Sequence, residues 1–117
     1  MSFENLRVYQ AAERLIVMLD ALFKKAPPGF ARDIAHGRNA ASSILFNIAE
    51  AVGSHGSGKK LNHFGIARGS ADEVRAVLRR LCIGRAFNEK QVAPPSILAR
   101  TIAKMLTGLI VKVRDTP

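Results

Sequence analysis

Apolar residues recur along this chain at three- and four-residue steps, in four blocks separated by proline, glycine and serine. In the first block Val8, Ala12, Leu15, Leu19 and Leu22 fall on one side of a helix, with Ile16 and Phe23 widening the stripe. Lys24 and Lys25 complement the negative end of that helix's dipole, and Pro27-Pro28-Gly29 ends it. A second helix is predicted from about Ala31, with Asp33 in its first turn and Ile34, Ala41, Ile44, Leu45, Ile48 and Val52 as its apolar face. Gly53 reads as the residue just past its end, and Gly53–Gly58 (GSHGSG) as a flexible loop. The third predicted helix runs from about Lys59 to Ala86 and the fourth from about Pro95 to Arg114. Pro94-Pro95-Ser96 separates them, a proline being allowed in the first turn of the last helix. That helix presents Leu98, Ile102, Met105, Leu109 and Val113, with Leu106 and Ile110 beside them.

Alternating strand patterns are missing, and there is no internal repeat, extended heptad run or low-complexity tail. Short connections between long helices favour antiparallel neighbours, so the expected fold is all-α: an up-down-up-down antiparallel four-helix bundle. With 117 residues the chain fits a single domain, 1–117; a chain of that size buries roughly two-thirds of its unfolded surface.

The third helix carries more apolar surface than one stripe needs. Ala67, Ala71, Val74, Leu78 and Leu81 form its core face, whereas Gly69, Ala76 and Ile83 fall on another side together with Glu73 and Arg80. Small residues there permit close approach by another helix. Either the fourth helix of the same chain or a second chain would cover them.

Charge bears on partners rather than on fold. The net charge is +9 with a pI near 10.7, a balance that suits nucleic acid, an anionic surface or an acidic protein, or simply solubility. Cys82 is the single cysteine, so an internal disulfide and a cysteine-based zinc site are excluded and a reducing compartment is expected. No apolar run approaches the ~18 residues that span a bilayer. Glu4, Arg7, Glu13 and Arg14 interrupt any signal-peptide core, and the expected location is the cytoplasm.

Arg68, Arg75 and Arg79 fall within about 40° of one another at roughly 100° per residue. Leu61 and Asp72 share the sector, and Asp72 is spaced to pair with Arg68 at i, i+4. Lys59 and Lys60 extend positive charge toward the glycine-rich loop. Arginine suits phosphate because its guanidinium offers a fork of donors to two oxygens. The competing reading pairs Arg68 and Arg75 with carboxylates of neighbouring helices such as Glu50, leaving Arg79 for solvent or phosphate. Lys59, Lys60, Arg68, Arg75 and Arg79 are therefore the candidate nucleic-acid-binding residues. No helix-turn-helix, zinc-finger or RNP signature accompanies them, and aromatics make up only 6% of the chain. Contact with backbone phosphates, not base reading, is the expected mode.

Catalytic signals are thin. His36, His55 and His63 lack metal-ligand spacing, and the GSHGSG loop lacks the lysine and strand context of a phosphate-binding P-loop. No enzymatic activity, cofactor or metal is expected. Cys82 reads as a small hydrophobe beside Leu78 and Leu81, and Asn47 and Glu50 as half-buried polar groups that fix helix register.

Several segments carry a resemblance. Asn39-Ala40-Ala41-Ser42-Ser43-Ile44, Asn47-Ile48-Ala49-Glu50, Phe64, Ile66-Ala67-Arg68-Gly69-Ser70 and Glu73 resemble the hallmark segments of a bacterial family. Its members are four-helix-bundle proteins first found encoded within intervening sequences of large-subunit ribosomal RNA genes. The opening Phe3…Leu6-Arg7-Val8-Tyr9-Gln10-Ala11 and the closing Met105-Leu106-Thr107-Gly108-Leu109-Ile110 are similar to its ends, so the likeness covers nearly the whole chain. The resemblance implies a left-handed up-and-down bundle assembled into a basic, ring-like homopentamer. Some relatives are accessory proteins of diversity-generating retroelements that bind nucleic acid and a reverse transcriptase. The implied partners are thus further copies of this chain, nucleic acid, and a protein such as a reverse transcriptase. Where the family usually has glycine and then a Gly-Arg pair after Asn-Ile-Ala-Glu, this chain has Ala51-Val52-Gly53-Ser54. A basic residue near that loop is missing, and no phosphate contact is carried over there.

The expected function is that of a non-catalytic, oligomeric basic scaffold binding RNA or DNA through backbone phosphates, as an accessory factor. The alternative is a protein–protein adaptor with an acidic protein partner, and a hydrolase ranks third.

Overall fold

Each of the four apolar blocks folds as one helix. The computed structural model describes residues 2–117. It contains a 3-10 turn, Phe3–Asn5, followed by α1 (Arg7–Phe23), α2 (Ala31–Gly53), α3 (Ser57–Ile83) and α4 (Glu89–Arg114). No strand occurs among the described residues. The four helices form a bundle with extents of 50 × 20 × 20 Å, in which α1 packs on α2, α2 on α3, α3 on α4, and α4 back on α1.

All four helices contribute to one core. Leu15 and Leu19 from α1, Ile44 and Ile48 from α2, Val74, Leu78 and Leu81 from α3, and Ile102 and Leu106 from α4 are fully buried. Buried alanines, among them Ala12, Ala41, Ala67, Ala71 and Ala99, let the backbones approach between these larger residues. Gly37 takes this furthest. A Cβ there would lie 2.9 Å from Phe23 Cζ and 3.1 Å from Val77 Cγ1, so glycine is what lets α1, α2 and α3 converge at that level.

Two boundaries differ from expectation. Gly53 is the last helical residue of α2, and Ser57 and Gly58 already belong to α3, leaving only residues 54–56 as the loop. The left-handed backbone falls at Gly56 (φ +89°) instead of Gly53. No glycine cap is needed at position 53 because Lys60 Nζ reaches back to the Ala51 and Val52 carbonyls at 3.0 and 3.3 Å. That ammonium satisfies carbonyls that the helix end leaves open.

The α3–α4 boundary moves further. Pro94-Pro95-Ser96 is not a separator: both prolines lie inside α4, which starts at Glu89. The start is set by a capping box, in which Asn88 Oδ1 accepts from the Gln91 N–H at 2.9 Å and Gln91 Oε1 accepts from the Asn88 N–H at 3.0 Å. In the turn before it, a Cβ on Gly84 would lie 2.9 Å from Phe30 Cε1 and 2.7 Å from Arg80 Nη1. The α1–α2 and α3–α4 turns therefore meet at one end of the bundle. With Gly84 used for this approach, the left-handed conformation falls on Arg85 (φ 65°), at a cost on the order of 1–2 kcal/mol.

The predicted core face of α3 is buried throughout, while Gly69, Ala76 and Ile83 remain exposed. The fourth helix does not cover that second face.

Leu78 is 1% exposed, and Leu78→Ala is expected to cost about 2–5 kcal/mol, because the cavity it leaves is walled by several helices. Denaturant titration should show a lower midpoint at constant slope; a loss well below ~1 kcal/mol would show that this face does not carry the core.

Candidate nucleic-acid interface

The α3–α4 seam gathers the arginine row. Arg68, Arg75 and Arg79 are all exposed, and two of them reach α4. Arg68 Nη1 donates to Thr107 Oγ1 at 3.4 Å, and Arg79 Nη1 meets Glu89 Oε1 at 2.8 Å. Asp72 pairs with Arg75 at i, i+3 (3.4 Å), not with Arg68 as its spacing suggested. Neither Arg68 nor Arg75 meets Glu50, and Arg79, expected to face solvent or phosphate, has a carboxylate beside it. The early, capped start of α4 brings Glu89 there.

Two further cations belong to this face. Arg100, Lys104 and Thr107 follow one another at helical spacing, and all three are exposed. Because Thr107 meets Arg68, Arg100 and Lys104 continue along the same seam toward Glu89. Their signal in the sequence is an i, i+4 basic pair lying off the Ala99–Ile102–Leu106 stripe.

Lys59 and Lys60 are not brought to this face. Lys60 is committed to the α2 carbonyls. Lys59 is exposed but falls about half a turn from Arg68, at roughly 100° per residue.

On its other side α3 meets α2 through a polar seam. Ser70, only 4% exposed, shares a hydrogen bond of 2.8 Å with Ser43 Oγ. Asn47 Nδ2 donates to the Ser43 carbonyl at 2.9 Å and to Ser43 Oγ at 3.2 Å. Asn47 Oδ1 lies 3.0 Å from His63 Nδ1, so the imidazole donates there. Further along, His36 Nε2 meets Glu73 Oε2 at 3.0 Å across the same two helices. Asn47 thus has the register-fixing position expected of it, whereas Glu50 is exposed. The three histidines stay apart: His36 is beside Glu73, His63 beside Asn47, and His55 exposed in the 54–56 loop. Among the described residues no three His, Cys, Asp or Glu side chains come together as a metal site.

Ser43, Asn47, Ser70 and Glu73 of this seam lie in the segments that carry the family likeness, and the family model of the 23S rRNA-intervening sequence proteins matches residues 4–108. The chain belongs to that family. No curated protein matches it. As a 23S rRNA-intervening sequence protein it is built of four α-helices, and none of its described helices is long and apolar enough to cross a membrane.

Cys82 is half-buried against the core of this family member, at the lip of a cavity lined by Arg85, Phe87, Asn88 and Gln91. Burial first, and then the carboxylate of Glu89, push its thiol above the ordinary range, although Arg79 pulls the other way. A raised pKa keeps the group as an unreactive thiol. Alkylation at about pH 8, near the ordinary thiol value of ~8.5, is expected to run several-fold slower on the native protein than on the denatured chain. Equal rates would mean that the thiol is neither shielded nor shifted.

Proposed function

We propose that this protein is a non-catalytic, basic scaffold that binds RNA or DNA through backbone phosphates, acting in the cytoplasm as an accessory factor. The observation that carries this reading is the α3–α4 seam, where Arg68, Arg75, Arg79, Arg100 and Lys104 line one exposed face of the rod. The pairs on it are solvent-screened: the side chains of Arg79 and Glu89 are 65% and 80% exposed. Such pairs hold weakly, so a phosphate offering bidentate acceptors can displace the carboxylate. With aromatics at 6% of the chain there is little to stack on bases, which favours phosphate contact without a sequence code. The family's association with 23S rRNA intervening sequences supports an RNA-related setting. A reverse transcriptase is the protein partner that the resemblance to retroelement accessory proteins implies.

The proposed architecture is the up-down-up-down bundle. Contacts between consecutive helices support it: Ser43 with Ser70 precedes Asn47 with His63, and Arg68 with Thr107 precedes Arg79 with Glu89, so partners descend as residue numbers rise. The working form is a ring-like homo-oligomer, with five subunits taken from the resemblance. Uncovered surface supports assembly. Phe46 (63% exposed) and Ile66 (44%) flank the outside of the α2–α3 seam. Beside them a Cβ on Gly65 or Gly69 would meet nothing within 4 Å. Glycine inside a helix costs roughly 0.5–1 kcal/mol relative to alanine, and packing within this chain gives no return for it. A neighbouring subunit would. Light scattering at micromolar concentration should return a multimer; a monomer mass would remove the ring.

The binding test is Arg75→Gln with Arg79→Gln. Losing two phosphate contacts should lower the slope of log K against log salt on duplex DNA by roughly two, at about 0.9 per phosphate, and weaken binding evenly across unrelated sequences. Helical content should not change, because both side chains are exposed. Unchanged affinity and slope would remove this face as the contact surface. A parent protein that binds no nucleic acid in a salt-dependent way, yet binds an acidic protein, would replace the reading with the adaptor.

A further inference from the structure

The end of the bundle where the two turns meet is more strongly charged than the seam. Residues 24–33 and 79–90 contain seven basic side chains against two acidic ones, a net +5 out of the chain's +9. One of the two acids, Glu89, is already neutralised by Arg79. The remaining six cations, Lys24, Lys25, Arg32, Arg80, Arg85 and Lys90, are exposed and take part in no ion pair among the described residues. Phe30 packed over Gly84 ties the two turns together, so these cations share one surface about 20 Å across.

Helix chemistry accounts for only some of them. Lys24, Lys25 and Arg80 lie at C-terminal ends of α1 and α3, where positive charge complements the dipole. Arg32 and Lys90 lie in the first turns of α2 and α4, where the same dipole disfavours them. Arg85 occupies the left-handed conformation that glycine or asparagine would take with less strain. Three cations therefore stand on this end against local stability.

We infer that the turn end of the bundle is a second phosphate-binding surface, which engages a nucleic-acid backbone through Arg32, Arg85 and Lys90 with Lys24, Lys25 and Arg80 around them. This rests on the nucleic-acid reading above and extends it from the side of the rod to its end. A duplex presents one phosphate charge per about 1.7 Å of axis, so a surface of this width faces enough phosphates to match six cations. Arg79 and Lys90 stand where the seam reaches this end, which makes the two surfaces continuous.

The test compares the triple variant Arg32→Gln/Arg85→Asn/Lys90→Gln with Arg75→Gln/Arg79→Gln, using a short mixed-sequence duplex DNA, an RNA hairpin and poly-glutamate as probes. The triple variant should lower the duplex salt slope by about 2.7 and weaken binding by roughly 500-fold at about 0.1 M salt. Its melting temperature should hold or rise, because each change relieves a locally unfavourable placement. If the seam variant loses binding and the triple variant binds like the parent, the turn end is not a contact surface while the nucleic-acid reading stands. If the parent binds neither nucleic acid, both fall. A triple variant that loses poly-glutamate but keeps both nucleic acids would overturn the inference in favour of an acidic protein ligand, and a triple variant that melts well below the parent would overturn its premise.

Discussion

The placement of every charge on α3 depends on a hydroxyl pair. Ser70 is the one buried polar side chain among the described residues, and Ser43 is its partner. Leaving a buried hydroxyl unpaired costs about 1–3 kcal/mol. Sliding α3 by one turn, about 5.4 Å, would part Ser70 from Ser43, His63 from Asn47, and the Lys60 ammonium from the last carbonyls of α2. The polar seam thus reinforces the register that the close fit of Gly37 against Val77 also requires. Once that register is set, Arg68 faces Thr107 and Arg79 faces Glu89 on the opposite side of the same helix.

Cohesion and charge are kept on separate residues. The largest fully buried side chains are leucine, isoleucine and valine, while of the 18 basic residues all but Lys60 are exposed. Lys60, the exception, caps a helix end. A surface of this kind can change its ligand without disturbing the core, and it repels itself unless salt or a polyanion screens it.

Helix number and the α3 core were legible in the sequence because apolar spacing reports them directly: the five residues assigned to the α3 core are all buried. On α4 the buried stripe is instead Val92, Pro95, Ala99, Ile102 and Leu106, and Leu98, Met105, Leu109 and Val113 of the expected face are only half-buried. The start of α4 was not legible. Two adjacent prolines are the more conspicuous mark, although Asn88-x-x-Gln91 is a start signal in its own right. That displacement hid Glu89, and with it the partner of Arg79. Arg100 and Lys104 are hidden in the sequence for a different reason: a row is conspicuous on one helix, but a face shared by two helices emerges only when their relative rotation is known. Lys60 stands among the nucleic-acid-binding candidates in the sequence because its partners, two carbonyls, leave no mark in side-chain pattern.

The prolines inside α4 have a mechanical consequence. Pro94 and Pro95 carry no N–H, so the carbonyls of Lys90 and Gln91 lack the bonds that would splice the first turn to the rest of the helix. That turn is held by the Asn88–Gln91 box, by Val92 in the core and by the Arg79–Glu89 pair. The first turn is therefore joined to the rest of α4 by fewer backbone bonds than any other turn of that helix, and its amides are expected to exchange with solvent at a lower opening energy than those beyond Pro95.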